Sequence, residues 1–386
     1  MTIVLADDIT GAAEIAGISL RYGLKTLLIT NITSSVHYDA DTVVIATNIR
    51  SMTKEAAKEQ TLKLCNDICN YIHNEQIPCW LFKKTDSALR GHINDELSIM
   101  MKAMNYKYAM LIAQNPSKGR IIKNGTYYIN DIPLSETLFS KDPEFPAYTS
   151  DPTALVGGKC EIMPVEKNIT CADGTVFIGE STTKNEIVRQ LAKTDKSCLL
   201  AGGADFFETF ILDKHPATTL QPVKRGSIAD GISSNKSLII SGSTQGKSIA
   251  HTKLMDSVKA KEFSIPDDVF EGGDPTVWTE SVCNMYKTLQ ATIIRIGEHT
   301  FKGAEYAIRL RKTMAETAKR LIDTQNPAYL IIEGGATAFA ILEATNWNTF
   351  SITQELAPGV VAMKHGQTTI IMKPGSYDWG GLFSQP

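Results

Sequence analysis

Residues 1–20 read Met-Thr-Ile-Val-Leu-Ala-Asp-Asp-Ile-Thr-Gly-Ala-Ala-Glu-Ile-Ala-Gly-Ile-Ser-Leu. A short β-branched run, Ile3–Leu5, stops at two adjacent carboxylates, Asp7 and Asp8, and Gly11–Leu20 then takes up the apolar spacing of a helix. A strand that runs through a polar turn into a helix is half of a βαβ unit, and the pattern recurs. Thr26–Ile29, Val43–Ala46, Trp80–Phe82 and Ala109–Ala113 read as further strands, and Lys54–Ile72 as a second helix. Alternation of this kind predicts an α/β fold with a mostly parallel sheet, flanking helices, and ligands held beyond the carboxyl ends of the strands.

Further along, the pattern loosens between Asn115 and Lys167 into Pro- and Gly-punctuated pieces, read as an insertion covering the substrate, before Val176–Ile178 and Cys198–Leu200 resume strands. The polar stretch from Gln221 to Lys236 lacks periodicity and is the expected linker. Two α/β domains are therefore expected, residues 1–225 and 236–386, as suits a chain of 386 residues. In the second, Leu238–Ile240, Ile293–Ile296 and Leu330–Ile332 read as strands. Ala307, Leu310, Met314 and Leu321 form the stripe of a long helix, and Val360–Met363 with Thr369–Met372 reads as a terminal hairpin.

Lys plus Arg number 39 against 42 Asp plus Glu, so there is no basic excess to recruit nucleic acid. The start has no basic segment followed by an apolar core and cleavage site, and no stretch is long and apolar enough to span a bilayer, so a soluble cytoplasmic protein is expected. Seven scattered cysteines argue for reduced thiols, and Cys65 and Cys69 share a helical face with Leu64, Ile68 and Ile72, which reads as core packing rather than metal binding.

Chemistry concentrates where strands end. After the first, Asp7 and Asp8 precede Thr10-Gly11; one carboxylate can cap the helix, and the pair suits a ligand. After the fourth, Lys83, Lys84, Thr85, Asp86, Ser87 and Arg90 offer cations for a carboxylate and polar groups for alcohols. After the third, Arg50 can grip a carboxylate. In the second half, Ser241-Gly242-Ser243 and Glu333-Gly334-Gly335-Ala336-Thr337 each leave a strand and open a helix, a setting in which backbone N–H groups bind phosphate. Gly246-Lys247-Ser248 has the flavour of a P-loop, but three residues separate Gly242 from Gly246 where four are required. Pro358-Gly359 and Lys373-Pro374-Gly375-Ser376-Tyr377 add turns suited to closing over a nucleotide, or simply to ending hairpins.

Taken together these segments resemble the four-carbon acid sugar kinase family over the whole chain. The resemblance rests on ADDITGA at Ala6–Ala12, KKTDSALRG at Lys83–Gly91, the GR, NG, PLSET and DPEFP series from Gly119 to Pro146, and then SGS, GGAT, PG and KPGSY. It implies an N-terminal sugar-acid domain, a C-terminal nucleotide domain, and ATP-dependent phosphorylation of the terminal hydroxyl of an acid such as D-threonate, D-erythronate or an oxo-tetronate in the cleft between them. Carried over, Asp8, Arg50, Lys84, Thr85, Asp86 and Ser87 would contact the acid, with Asp7, Lys83 and Arg90 beside them. Ser241 or Ser243, Gly334, Gly335, Ala336, Thr337 and Gly375, with Gly359 as a further turn, would contact ATP. Asp8 or Asp86 would accept the hydroxyl proton, and Mg2+ would accompany ATP through ligands the sequence does not name. Ala336, where many relatives carry an acid, and Asp378 depart from the pattern. The rival readings are a P-loop-like NTP hydrolase and a non-catalytic sugar-acid sensor; a homodimer is the base-rate assembly.

Overall fold

A computed structural model describes residues 1–142, 144–170, 173–215, 229–242, 260–297 and 304–373. Ser243, Lys247, Ser248, Gly375, Tyr377 and Asp378 fall outside them. The chain divides into two compact units, residues 1–221 and 222–386.

The strands of the first unit are β1 (Thr2–Ala6), β2 (Thr26–Ile29), β3 (Thr42–Ala46), β4 (Trp80–Lys84), β5 (Tyr108–Ile112), β6 (Arg120–Lys123), β7 (Thr126–Ile129), β8 (Ile132–Pro133), β9 (Cys160–Met163), β10 (Val176–Gly179) and β11 (Cys198–Gly202). Its main sheet runs β2-β3-β1-β4-β11-β5-β10-β9 with every pairing parallel. Strands buried on both faces explain why the sequence shows unbroken apolar runs such as Ile3-Val4-Leu5. On one face Phe82 packs against Phe206, Phe207 and Phe210 of the helix Ala204–Lys214. On the other, Leu81, Ile3 and Ile45 join Leu64, Cys65 and Ile68 of the helix Lys54–Glu75 in one core cluster. Burial pushes the Cys65 thiol up to about 12, so it stays protonated and packs as a small apolar group.

Strands β3 and β4 are consecutive in the chain, yet β1 lies between them in the sheet. Accordingly β1 feeds the helix Ile9–Arg21 on the Phe206 face, while β4 feeds the helix Ile93–Ala103 on the opposite one. Loops that part in this way open a crevice at the carboxyl ends of β1 and β4, the place where open α/β sheets bind ligands. The loose stretch after Asn115 is not bare loop: β6, β7 and β8 form a small antiparallel sheet of their own.

The second unit contributes β12 (Ser237–Ser241), β13 (Lys261–Ser264), β14 (Ala291–Arg295), β15 (Tyr329–Glu333), β16 (Thr349–Ala357), β17 (Val360–His365) and β18 (Thr368–Lys373). Strands β13-β14-β12-β15-β18 are parallel, and β17 and β16 add antiparallel pairings. The expected terminal hairpin is present as β17 and β18, with its second strand entering the parallel sheet beside β15. No helix among the described residues is long and apolar enough to cross a membrane.

Candidate active site

Asp8 is the N-cap of the helix Ile9–Arg21, and its carboxylate accepts the Gly11 N–H and the Thr10 hydroxyl, both at 2.7 Å. A carboxylate at that position satisfies an otherwise orphaned helix donor and faces the positive end of the dipole. Arg50, in the single turn after β3, donates Nε to Asp7 at 2.9 Å and Nη1 to Asp8 at 3.0 Å. The same Nη1 lies 3.5 Å from Asp86. Arg50 is thus the shared counter-ion that lets three carboxylates converge, which is a different task from gripping a free carboxylate alone.

Asp86 is enclosed further. The Arg90 guanidinium forks onto it at 2.9 and 2.8 Å, and the Ala88 and Arg90 N–H groups point at one of its oxygens. Burial would raise this carboxyl, but the Arg50 and Arg90 charges override that and hold it far below the usual carboxylate range. Asp8 is also held low: burial opposes ionisation, and Arg50 and Lys84 with the Thr10 and Gly11 hydrogen bonds prevail. Arg90 goes on to Asp142 at 2.9 Å and lies over the Phe139 ring, so the insertion is tied directly to this loop. Arg120 donates to the Ser87 hydroxyl and Tyr127 to the Ser87 carbonyl, a second tie from the small sheet.

Lys83 and Lys84 do not act together. Neighbours in a strand point to opposite faces. Lys84 turns toward the helix Ile9–Arg21, with its ammonium donating to the Thr85 carbonyl at 2.8 Å and standing 3.8 Å from Glu14. Lys83 turns to the far face, fully buried and 2.5 Å from the equally buried Glu96. Lys83, expected beside the acid-binding residues, is placed instead in a core ion pair, and burial pushes the Glu96 carboxyl up even against its pull. Thr85 is likewise fully buried, its N–H bonded to the Gly202 carbonyl at 3.1 Å, so it joins β4 to β11.

Reading the sequence assigned no role to Glu14, which bridges Lys84 and Lys118, the latter at 2.6 Å, nor to Arg120 and Asp142, although the GR and DPEFP motifs contain these two. Glu14 stands three residues after Gly11, on the same helical face, and that spacing is the signal that would have found it. Arg120 and Asp142 sit in the insertion, where no period points.

In the second unit, Gly334 has φ +104° and leads into the helix Gly335–Thr345. A Cβ on Gly242 would stand 1.9 Å from the Thr337 hydroxyl, so the two glycine turns pack together only because Gly242 has no side chain. Ala336 is the second residue of that helix, and Thr337 is buried within its first turn. Gly359, with φ +79°, is accounted for by the two-residue turn between β16 and β17, and the β17–β18 register puts that turn at the carboxyl-end edge of the sheet. Ser241 ends β12 on the same edge.

Two expected outcomes follow from this geometry. A Cβ on Gly11 would fall 2.7 Å from an Asp8 oxygen and 3.1 Å from the Lys84 ammonium. Gly11→Ala should therefore displace the Asp8 carboxylate and lower kcat/KM by about 10- to 100-fold with little change in the melting curve. Steady-state kinetics beside thermal unfolding checks it; an unchanged kcat/KM would mean the Asp8 position does not matter. The second outcome concerns acid. A carboxylate depressed on folding stabilises above the unfolded-state range and loses that contribution as pH falls through its folded value. The stability advantage of the wild type over Asp86→Asn should thus be full at neutral pH and shrink below about pH 4; urea midpoints across pH decide this.

Carboxylates and cations gathered at strand ends in one unit, with packed glycine turns at strand ends in the other, are the features of a sugar-acid kinase, and comparison with known proteins bears on that class directly. Residues 2–243 match a sugar-binding N-terminal domain and residues 278–377 a nucleotide-binding C-terminal domain. A 3-oxo-tetronate kinase of Haemophilus influenzae is 23% identical over 98% of this chain and 96% of its own. A D-threonate kinase of Salmonella typhimurium is 33% identical over 42% of this chain and 37% of its own. The crystal structure of a Haemophilus influenzae protein, from a family designated only as a domain of unknown function, shares the fold, with a TM-score of 0.70 at 18% identity over 99% of this chain and 98% of that one. The protein belongs to the four-carbon acid sugar kinase family, and it is a sugar-acid kinase.

Proposed function

We propose that the protein transfers the γ-phosphoryl group of ATP to the terminal hydroxyl of a four-carbon sugar acid of the D-threonate, D-erythronate or oxo-tetronate type. The observation that carries this reading is the Asp8 carboxylate, anchored at a helix N-terminus in the switch-point crevice, side chain 21% exposed, with Arg50 at 3.0 Å. Phosphoryl transfer asks little covalent chemistry of the protein; it asks for position, charge neutralisation and an acceptor for the attacking hydroxyl's proton.

Of the two aspartates the sequence offered as acceptor, Asp8 takes the role. Asp86 is the more enclosed of the two, its side chain 8% exposed against 21% for Asp8, and a bidentate Arg90 fork spans both its oxygens, so Asp86 orients Arg50 and Arg90. Arg50, Lys84 and the Ser87 hydroxyl bind the acid, and Asp7 fixes the Arg50 guanidinium through Nε. Names of relatives support the acid class: 3-oxo-tetronate and D-threonate. ATP belongs to the second unit, with the helix-opening N–H groups of Gly335, Ala336 and Thr337 offered to phosphate and Ser241 beside them. Mg2+ accompanies ATP. Among the described residues no group of three or more His, Cys, Asp or Glu side chains is placed to hold a metal ion; a magnesium ion bound through nucleotide phosphates needs no such cage.

The product tests the position of transfer. A phosphate on the terminal CH2–O gives a proton-coupled 31P triplet, whereas transfer to a secondary carbon gives a doublet. A triplet is expected, and a doublet would overturn the assignment of the terminal hydroxyl.

A further inference from the structure

Ser241, Glu333 and Lys373 are the last residues of β12, β15 and β18, and they stand in one register across three adjacent parallel strands. In-register residues of parallel neighbours share a face, so their side chains form a row along the carboxyl-end edge. The row is bonded: the Ser241 hydroxyl donates to one Glu333 oxygen at 2.8 Å, and the Lys373 ammonium lies 2.8 Å from the other. All three residues are buried. The backbone follows the same row, with the Gly242 N–H on the Glu333 carbonyl at 3.0 Å and the Gly334 N–H on the Lys373 carbonyl at 2.9 Å. Both glycine turns therefore hang from Glu333, one by its carbonyl and the other by the peptide that follows it.

A desolvated Glu–Lys pair is a poor source of stability, because an apolar pair of equal volume does as well or better. Its use lies in direction: two bonds on one carboxylate set the height of β12 against β15 and so the spacing of the two turns. We propose that Glu333 is the positioning residue of the nucleotide site, with Ser241 and Lys373 holding its carboxylate. This rests on the proposed assignment of ATP to the Gly334–Thr337 turn.

Calorimetric titration of the full chain with ATP and Mg2+, and separately with the sugar acid, tests it. The double variant Glu333→Gln/Lys373→Met removes both charges while keeping volume, so it should unfold near the wild-type temperature, bind ATP at least 10-fold more weakly, and bind the acid unchanged. Glu333→Asp, which keeps the charge and loses reach, should share the ATP defect. If the double variant does not fold, Ser241→Ala, which removes a single bond, is expected to weaken ATP about 3-fold or more. ATP affinity within 2-fold of wild type in the folded variants overturns the positioning role and leaves the ATP assignment standing. A wild-type chain that takes up no ATP overturns both, and equal losses for ATP and acid would reduce the row to a general structural element.

Discussion

Asp8→Asn is expected to lower kcat by about 10²- to 10⁴-fold, the range in which a positioned general base contributes, while the affinity for ATP stays within 2-fold. The substitution isolates charge from structure unusually well. Asparagine caps a helix as effectively as aspartate, so the Gly11 N–H at 2.7 Å keeps an acceptor and the helix Ile9–Arg21 keeps its start. What disappears is the anion that would draw the proton from the attacking hydroxyl and pair with Arg50 at 3.0 Å. Asp86→Asn should act differently. Its oxygens hold Arg90 and face Arg50, so its loss should raise KM for the acid as well as lower kcat. Single-turnover rates on both variants separate the two roles, and near-normal turnover by Asp8→Asn would remove Asp8 from the chemistry.

Lys83→Met should cost about 3–5 kcal/mol of folding stability, the range seen when one partner of a buried ion pair is removed. Neither side chain reaches solvent: Lys83 is 0% and Glu96 2% exposed, with 2.5 Å between them. Removing the ammonium strands the carboxylate in the core, where burial already disfavours its charge. Adding Glu96→Gln should recover most of the loss, because the double variant buries no unpaired charge. Urea midpoints at constant slope report the difference. A small cost for the single variant would mean the pair is hydrated in solution.

Much of this fold was legible in the sequence because parallel strands buried on both faces leave unbroken apolar runs, and the turns after them leave polar clusters. Ile3–Leu5 and Asp7-Asp8 are the clearest instance; the strand ends at Ala6 and Asp8 caps the next helix. Two edge strands were not legible: β9 and β13 each have one partner among the described residues and carry mixed residues such as Cys160-Glu161 and Lys261-Glu262. The site was legible in part. Strand alternation already separates Lys83 from Lys84, yet two adjacent lysines read as one cationic pair until the two faces have known occupants, Glu96 and Glu14. The partners supplied by distant segments, Asp142 for Arg90 and Arg120 for Ser87, depend on how the small sheet packs. In the second unit the glycines announced a close approach, whereas the Ser241–Glu333–Lys373 row exists only through strand register.

The central claim is tested most directly by ADP release from the purified full chain with ATP and Mg2+ against D- and L-threonate, D- and L-erythronate and the 2-oxo and 3-oxo tetronates, beside a control without acid. The account predicts release that depends on one of these acids and is abolished by Asp8→Asn. Release without any acid, or release that Asp8→Asn leaves intact, would contradict it.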